Sequence, residues 1–410
     1  MDKIEEILTR GVEKIYPSKE ILEKILRSGT KLRIYNGIDP TGKLHLGHMV
    51  VLRKLRQLQD LDQEIIVLIG DFTAQIGDPT DKLATRKQLT KAEVEKNSAN
   101  YKELIGKILD LKKANVRFLH NEEWTNKLKP EDMLQIASHF TVSQLIERDM
   151  FQKRIKEGRE IYVHEFLYPI FQAYDSVTMN VDMEIGGNDQ TFNMLAGRTL
   201  MRKMMNKEKI VLTTQLLTEP GKEKMGKTED NFIALDETPN EMFGKIMSWP
   251  DEMVKQGFIL LTDVPEEKIE TNKISPIEKK KWLAREIVTS LYSEKETQSS
   301  QENFEKVFQK GEQPGENFPT PSYEISDEES KNFNLVKTLV GSATVGTASE
   351  AKRLINQGGV DIDGSRVNNY TSPIKIKDNS IIRAGKKKFL KIKLKKHLKI
   401  KLKKKFHDAF

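Results

Sequence analysis

The 410-residue chain contains no cysteine, so it can form no disulfide, no thiolate metal site and no cysteine nucleophile. Any zinc would have to be held by histidine and carboxylate alone. Long apolar runs are also missing: no stretch of about 18 hydrophobic residues marks a membrane span. The opening segment "MDKIEEILTRGVEK" mixes acid and base without a signal-type apolar core, which predicts a soluble, untargeted, cytoplasmic protein. Histidine is scarce, at seven residues, so two of them in close spacing call for a reason. Acid is absent from one end of the chain. Residues 386–405 hold 12 lysines and no Asp or Glu, so the net charge of +7 leaves −5 for everything else. Basicity concentrated at a terminus points to a polyanionic partner, against the plainer reading of a solubilising tail.

What is present begins with length enough for two or three domains. Residues 31–38 ("KLRIYNGI") and 65–70 ("IIVLIG") read as short apolar strands, each followed by a Gly-containing turn and then by helical periodicity. That alternation predicts an α/β fold with a parallel sheet covered by helices. Residues 91–111, 131–156 and 164–180 read as helical, and "KIVLTTQLLTE" as a further strand near residue 220. These patterns predict a first domain over 1–230, a helical domain over 231–310 and a Gly-, Pro-, Ser- and acid-rich linker over 311–330. A small α+β module over 331–395 and a basic tail over 396–410 complete the chain, which shows no internal repeat.

Three Gly-bearing loops follow strands: "NGIDPTG", "IGDFTAQIGDP" and "IGGNDQ". Glycine after a strand is ordinary turn chemistry when it stands alone. Three such loops at the carboxyl ends of parallel strands define one crevice. In "HLGH", His45 and His48 lie three apart at the predicted start of a helix, where backbone N–H groups and the positive dipole end face outward. HxxH with no third ligand nearby is a weak zinc signal, and locally satisfied core histidines are the bland reading. Their position just after Asp39, Pro40, Thr41 and Gly42 favours phosphate contact. A second anion-seeking segment, "PGKEKMGKTED", carries Lys224 and Lys227. KxxK is unremarkable on a lysine-rich chain; beside HxGH it suits a departing pyrophosphate, whose charge develops during reaction. In "HEFLYPIFQAYDSV", Tyr168, Gln172 and Asp175 fall at i, i+4 and i+7, on one helical stripe flanked by apolar residues. Such a stripe suits a small amphipathic ligand, where a uniformly polar stripe would be a solvated face.

Together these motifs resemble the bacterial tyrosyl-tRNA synthetases, which are class I aminoacyl-tRNA synthetases. "HLGH" resembles the HIGH signature and "KMGKT" the KMSKS signature, with Gly226 where a small hydroxyl residue is usual. The Thr41-to-His45 spacing is one residue shorter than in better-known members. "LIGDFTAQIGDPTDK", "FLYPIFQAYDS" and "IGGNDQ" resemble the family's tyrosine-pocket and ribose-side motifs, and "SEAKRLINQGGVDIDGSRV" a small RNA-binding module. The resemblance implies a Rossmann-like catalytic domain with a helical insertion, a helical anticodon-side domain and an RNA-binding module. It implies ATP as substrate, with Mg2+ carried by the ATP and no protein-held metal. The partners implied are L-tyrosine and tRNA(Tyr), in a homodimer. Carried over residue by residue, Tyr35 and Asp175 would flank the phenol, and Asp78, Tyr168 and Gln172 would meet the α-amino group. Gln190 would lie by the carboxylate, and Asp39, Gly47, Gly187 and Asp189 by the nucleotide. Thr41, His45, Lys82, Arg86, Lys224 and Lys227 would hold the phosphates, with His48 beside the sugar and ring.

Three other readings compete. Small nucleotidylyltransferases share HxGH, but the extra domains argue against them. A tryptophanyl enzyme is the nearest alternative within the fold, and Tyr35 with Asp175 favours a phenol over an indole. A non-catalytic RNA-binding descendant would not need His45, His48, Lys224 and Lys227 intact.

Overall fold

The computed structural model describes residues 2–78, 89–219, 232–309, 320–385 and 388–395. The chain divides into two compact units, Met1–Glu294 and Lys295–Phe410.

In the first unit, the predicted apolar runs become strands β2 (Arg33–Ile38) and β3 (Glu64–Ile69) of a six-stranded sheet. Its other members are β1 (Val12–Tyr16), β4 (Val116–His120), β5 (Met183–Gly187) and β6 (Ile210–Thr214), in the order β1-β6-β5-β2-β3-β4. β6, β5, β2, β3 and β4 run parallel, and only the edge strand β1 is antiparallel. The residues of β6 are all buried and those of β3 nearly so, as continuous apolar runs in a sheet covered on both faces require. β1 and β4 are half-polar edge strands, which is why periodicity alone does not reveal them.

The helices are shorter than the sequence pattern predicts. Residues 91–111 contain helices Lys91–Ser98 and Tyr101–Ile105, and residues 131–156 break into Pro130–Ala137, Val142–Ile146 and Asp149–Lys156. Thr90 and Thr141 cap two of these starts, each in a box with Glu93 or Gln144, so local side-chain bonding restarts a helix inside an apparently continuous pattern. The helix Val163–Thr178 runs through Pro169 unbroken.

The described part of the expected helical segment up to Glu294 falls in the same compact unit as the sheet. Arg10 donates to the carbonyls of Phe258, Ile259, Thr262 and Val264 at 2.7–3.0 Å, which ties the N-terminal segment to the end of helix Asp251–Leu261. Among the described residues no helix is long and apolar enough to cross a membrane.

The second unit holds a five-stranded sheet in the order β7-β11-β10-β8-β9. Its strands are β7 (Ser322–Ile325), β8 (Val360–Ile362), β9 (Ser365–Val367), β10 (Ile381–Ala384) and β11 (Lys388–Leu394). β7 lies within the range read as linker, and it pairs in parallel with β11. Its partner is supplied from more than sixty residues downstream, so the local composition carries no sign of it. Part of the lysine-dense run is thus strand: Phe389, Leu390 and Ile392 of β11 are buried while Lys388 and Lys393 are exposed.

Candidate active site

Each of the three Gly-bearing loops leaves the carboxyl end of a central strand. β2 releases Asp39–His48, β3 releases Asp71–Asp78, and β5 runs into the 3-10 turn Asn188–Gln190. The strand order reverses between β2 and β5, and connections that depart to either side there leave a crevice above the strand ends. The loops are bonded to one another. Thr73 Oγ1 donates to Asp39 Oδ1 (2.7 Å), and Gln190 Nε2 donates to Asp78 Oδ2 (2.8 Å). Gly70 makes the first junction possible, because a Cβ there would collide with the Asp39 carboxylate and lie 2.5 Å from Thr73 Oγ1.

Helix Leu46–Gln59 begins where the sequence predicts, with His45 as its N-cap. His45 Nδ1 accepts from the Gly47 N–H (3.1 Å), and His48 Nδ1 accepts from the His45 N–H (3.2 Å). A neutral imidazole that accepts at Nδ1 carries its proton on Nε2. Each ring therefore uses its Nδ1 acceptor on the helix start and carries its proton on Nε2, and the two ring centres lie 4.0 Å apart. Such donors beside a helix N-terminus suit an anion and not a metal. Among the described residues no group of three or more His, Asp or Glu is arranged to hold a metal ion.

The turn before the helix is fixed from outside. Asn97 Nδ2 donates to Pro40 O (2.9 Å), the Tyr101 hydroxyl to Gly42 O, and Thr41 N–H to Asp39 O (2.7 Å). On the other side, Leu46 N–H donates to Ile233 O (3.0 Å) and Leu235 N–H to Leu44 O (2.9 Å), with Phe232 packed 6.0 Å from the His45 ring. The chain emerging from the "KMGKT" segment is thereby bonded to the histidine turn. Lys224 and Lys227, like Lys82 and Arg86, lie outside the described residues.

Helix Val163–Thr178 lines the crevice with the predicted stripe. Tyr168 Oη donates to Asp39 Oδ2 (2.8 Å) and Gln172 Nε2 to Glu184 Oε1 (3.0 Å). Asp175 accepts from Trp124 Nε1 (2.8 Å) and Asn121 Nδ2 (3.2 Å). Tyr35 is fully buried, with its hydroxyl 2.8 Å from Ser176 Oγ. Burial pushes the Asp175 carboxyl well above the usual carboxylate range, against the two hydrogen bonds that favour its ionised form. Burial likewise raises the Tyr35 and Tyr168 phenols, so both remain hydroxyl donors at neutral pH.

The structure adds three contacts among these residues that the residue-by-residue expectation does not contain. Tyr35 and Asp175 each have partners of their own and are not bonded to each other. Asp39, expected beside the nucleotide, is bonded to Tyr168 of the expected amino-group set. Asp78 joins Gln190 across the expected division between amino and carboxylate binding, and also accepts from Arg148 Nη2 (3.2 Å). Carboxylates packed into one crevice share donors, which residue-by-residue placement cannot anticipate. Gly187, Asp189 and Gln190 all sit at the β5 turn, and Gly47 in the first turn of the histidine-capped helix.

Asn121, Trp124, Ser176, Glu184 and Lys209 escape the sequence reading. Asn121 and Trp124 follow β4, an edge strand with no clear pattern. Glu184 did leave a signal: it is a charge set within the apolar strand β5, and such a charge needs a buried partner, whereas Lys209 ends the polar run Lys207–Lys209 ahead of β6 and left none.

The family of tRNA synthetases class I (W and Y) matches residues 27–309. Tyrosine–tRNA ligase of Carboxydothermus hydrogenoformans is 43% identical over 402 residues, covering 94% of this chain and 97% of that protein. The Thermotoga maritima tyrosine–tRNA ligase is 44% identical over 395 residues, covering 94% and 96%. The chain belongs to the tyrosine–tRNA ligase family. Solved tyrosyl-tRNA synthetases share its fold. The Archaeoglobus fulgidus enzyme, solved in complex with L-tyrosine, matches at TM-score 0.57 and 21% identity over 73% of this chain and 99% of that one. A C-terminally truncated mitochondrial tyrosyl-tRNA synthetase of Aspergillus nidulans matches at TM-score 0.62 and 22% identity, over 75% and 94%.

Proposed function

We propose that this chain joins L-tyrosine to ATP, releasing pyrophosphate, and then transfers the tyrosyl group to the 3′ end of tRNA(Tyr). The observation that carries the reading is the buried polar floor made by Tyr35 and Asp175 at the switch point of the sheet, among the apolar residues of helix Val163–Thr178. A phenol seated there can donate to Asp175 and accept from Tyr35, whereas an indole or a phenyl ring leaves at least one of them unsatisfied. Gln172 Oε1 and Asn193 Oδ1 are buried acceptors with no hydrogen bond, which an α-ammonium could satisfy by donating to them. Asp78 and Tyr168 complete the amino-group reading, and Gln190 lies by the carboxylate.

In the first step the carboxylate oxygen of tyrosine attacks the α-phosphorus of ATP, and the bond to pyrophosphate breaks. The attacking group is ionised at neutral pH, so no general base is required. Rate enhancement comes from in-line positioning and from cations and donors around developing negative charge. Thr41, Gly47 and the Nε2–H groups of His45 and His48 serve the nucleotide and phosphates from one side. Lys82, Arg86, Lys224 and Lys227 serve them from the segments outside the described residues. Asp39, Gly187 and Asp189 border adenosine and ribose, and Mg2+ arrives with the ATP.

The second unit is the tRNA-binding module on this reading, since Lys352 and Arg353 are exposed on helix Ala348–Asn356 and β11 adds exposed lysines. A homodimer is supported by exposed apolar side chains at Leu134, Val142, Ile155, Tyr162 and Val163, and a cytoplasmic location belongs to the same reading through the bacterial tyrosine–tRNA ligases the chain resembles. ATP–pyrophosphate exchange with tyrosine, phenylalanine and tryptophan tests the core of the reading. Exchange with tyrosine alone is expected. Exchange driven by tryptophan and not tyrosine would overturn it.

A further inference from the structure

Beneath the floor of the pocket lies a charged pair for which the chemistry above has no use. Lys209, just before β6, is wholly buried, as is Glu184 on β5, and the two form a short ion pair. Burying both charges is unfavourable unless each is also well hydrogen-bonded. Both are. Lys209 Nζ also donates to Ser176 Oγ (2.9 Å), and Glu184 Oε1 also accepts from Gln172 Nε2 (3.0 Å). The ammonium lies 5.7 Å from the centre of the Tyr35 ring. A Cβ at Gly197 would collide with Lys209 Nζ and lie 2.8 Å from Ser176 Oγ, so a glycine on the neighbouring helix leaves the space this junction occupies.

The direction of these bonds matters. An ammonium only donates, so Ser176 Oγ accepts from Lys209. With Ser176 Oγ accepting from Lys209, Ser176 can donate to Tyr35 Oη, and the Tyr35 proton is then left for another oxygen, with the Glu184 carboxylate also within its reach. Glu184 meanwhile holds the amide of Gln172 by its nitrogen, which turns Oε1 of Gln172 away as the buried acceptor without a bond.

We propose that Lys209 is a positioning residue for tyrosine selection: paired with Glu184 and bonded to Ser176, it sets Tyr35 as a donor toward the substrate phenol and Gln172 as an acceptor toward its amino group. Lys209 touches no substrate itself. The proposal rests on the tyrosine-pocket reading above. It differs from a purely structural role, in which the pair only fills the core and any well-packed neutral replacement serves equally.

The test compares the full-length wild type with Lys209→Met, Ser176→Ala and the double variant Lys209→Met/Glu184→Gln. The readouts are KM for tyrosine and for ATP in pyrophosphate exchange, the tyrosine-over-phenylalanine ratio of kcat/KM, and the melting temperature. Lys209→Met leaves Glu184 buried without its counter-charge and is expected to be the least stable. The double variant removes that lone charge and recovers much of the melting temperature. Because Ser176 still lacks its donor, the double variant keeps a tyrosine KM raised about tenfold and discrimination lowered about tenfold, with KM for ATP near the wild-type value. Ser176→Ala reproduces the loss of discrimination at near-normal stability. A double variant that regains both stability and wild-type discrimination overturns the proposal. If the wild type itself shows no tyrosine-dependent exchange, the pocket reading has failed instead, and the two failures are told apart by that control.

Discussion

Tyr35 is a strand residue with no exposed surface, whose hydroxyl must be satisfied inside the protein. A Tyr35→Phe substitution removes one of the groups available to a substrate hydroxyl while keeping the ring that fills the core. Leaving a buried hydroxyl short of a partner costs about 1–3 kcal/mol, so tyrosine-over-phenylalanine discrimination should drop about tenfold to a hundredfold. KM for ATP should stay near normal. Unchanged discrimination in pyrophosphate exchange would remove Tyr35 from the specificity set. A different titration is expected from Lys54, which lies buried on helix Leu46–Gln59 and donates to the carbonyls of Ile7 (2.9 Å) and Arg10 (3.0 Å). Burial pulls its ammonium from 10.5 down to about 7. Between those values the unfolded chain holds a proton that the folded chain has released, so the Lys54 contribution to stability rises with pH and is at its lowest below pH 7. Denaturant midpoints measured from pH 6 to pH 9 should climb in the wild type and climb less in Lys54→Met. Parallel profiles would show that Lys54 does not titrate in this range.

On the proposed reading, the helix Leu46–Gln59 serves folding and chemistry with the same two residues through different ring nitrogens. His45 and His48 cap it through Nδ1, and in the proposed function their Nε2 sides serve the phosphates, so a substitution can separate the two roles. His45→Ala loses both and should lower the rate constant for adenylate formation by about 10² to 10³, the size of one lost charge-stabilising donor. It should also cost about 0.5–2 kcal/mol of stability through the lost cap. His45→Asn can still cap, so it should recover stability and not the full rate. Lys227→Ala should lower the rate to a similar degree, leaving tyrosine affinity near normal. Single-turnover kinetics with tyrosine titrations can decide this; collapsed tyrosine affinity at an unchanged rate would put these residues at the wrong end of the pocket.

At the scale of the whole molecule, the proposed adenylate site has its described residues within Met1–Glu294, and the exposed lysines of helix Ala348–Asn356 and β11 lie in the other unit. A chain ending at Glu294 should keep pyrophosphate exchange and lose most tRNA charging. Cutting later, at residue 330, would leave β7 without its partner β11. Removing residues 396–410 alone should weaken tRNA binding mildly and flatten its salt dependence, because fewer phosphates are neutralised and fewer counterions released. Charging assays and tRNA affinity across a salt series check both. Full charging by the shorter chain would show that the second unit is not the tRNA-binding module.

The local information in the chain was enough for the α/β class, the helix start at Leu46, the stripe of Tyr168, Gln172 and Asp175, and the convergence of the three loops after β2, β3 and β5. Each of these follows from spacing within a few residues, where strand and helix periods, turn glycines and caps act directly. Tertiary structure decided the rest. β7 depends on a distant strand, and Asp39 meets Tyr168 across 129 positions. Trp124 and Asn121 reach Asp175 from behind β4. The Lys209–Glu184 pair exists only once β5 and β6 lie side by side. Buried polar groups are satisfied by whatever the fold brings within about 3 Å, and sequence separation places no limit on which residues those are.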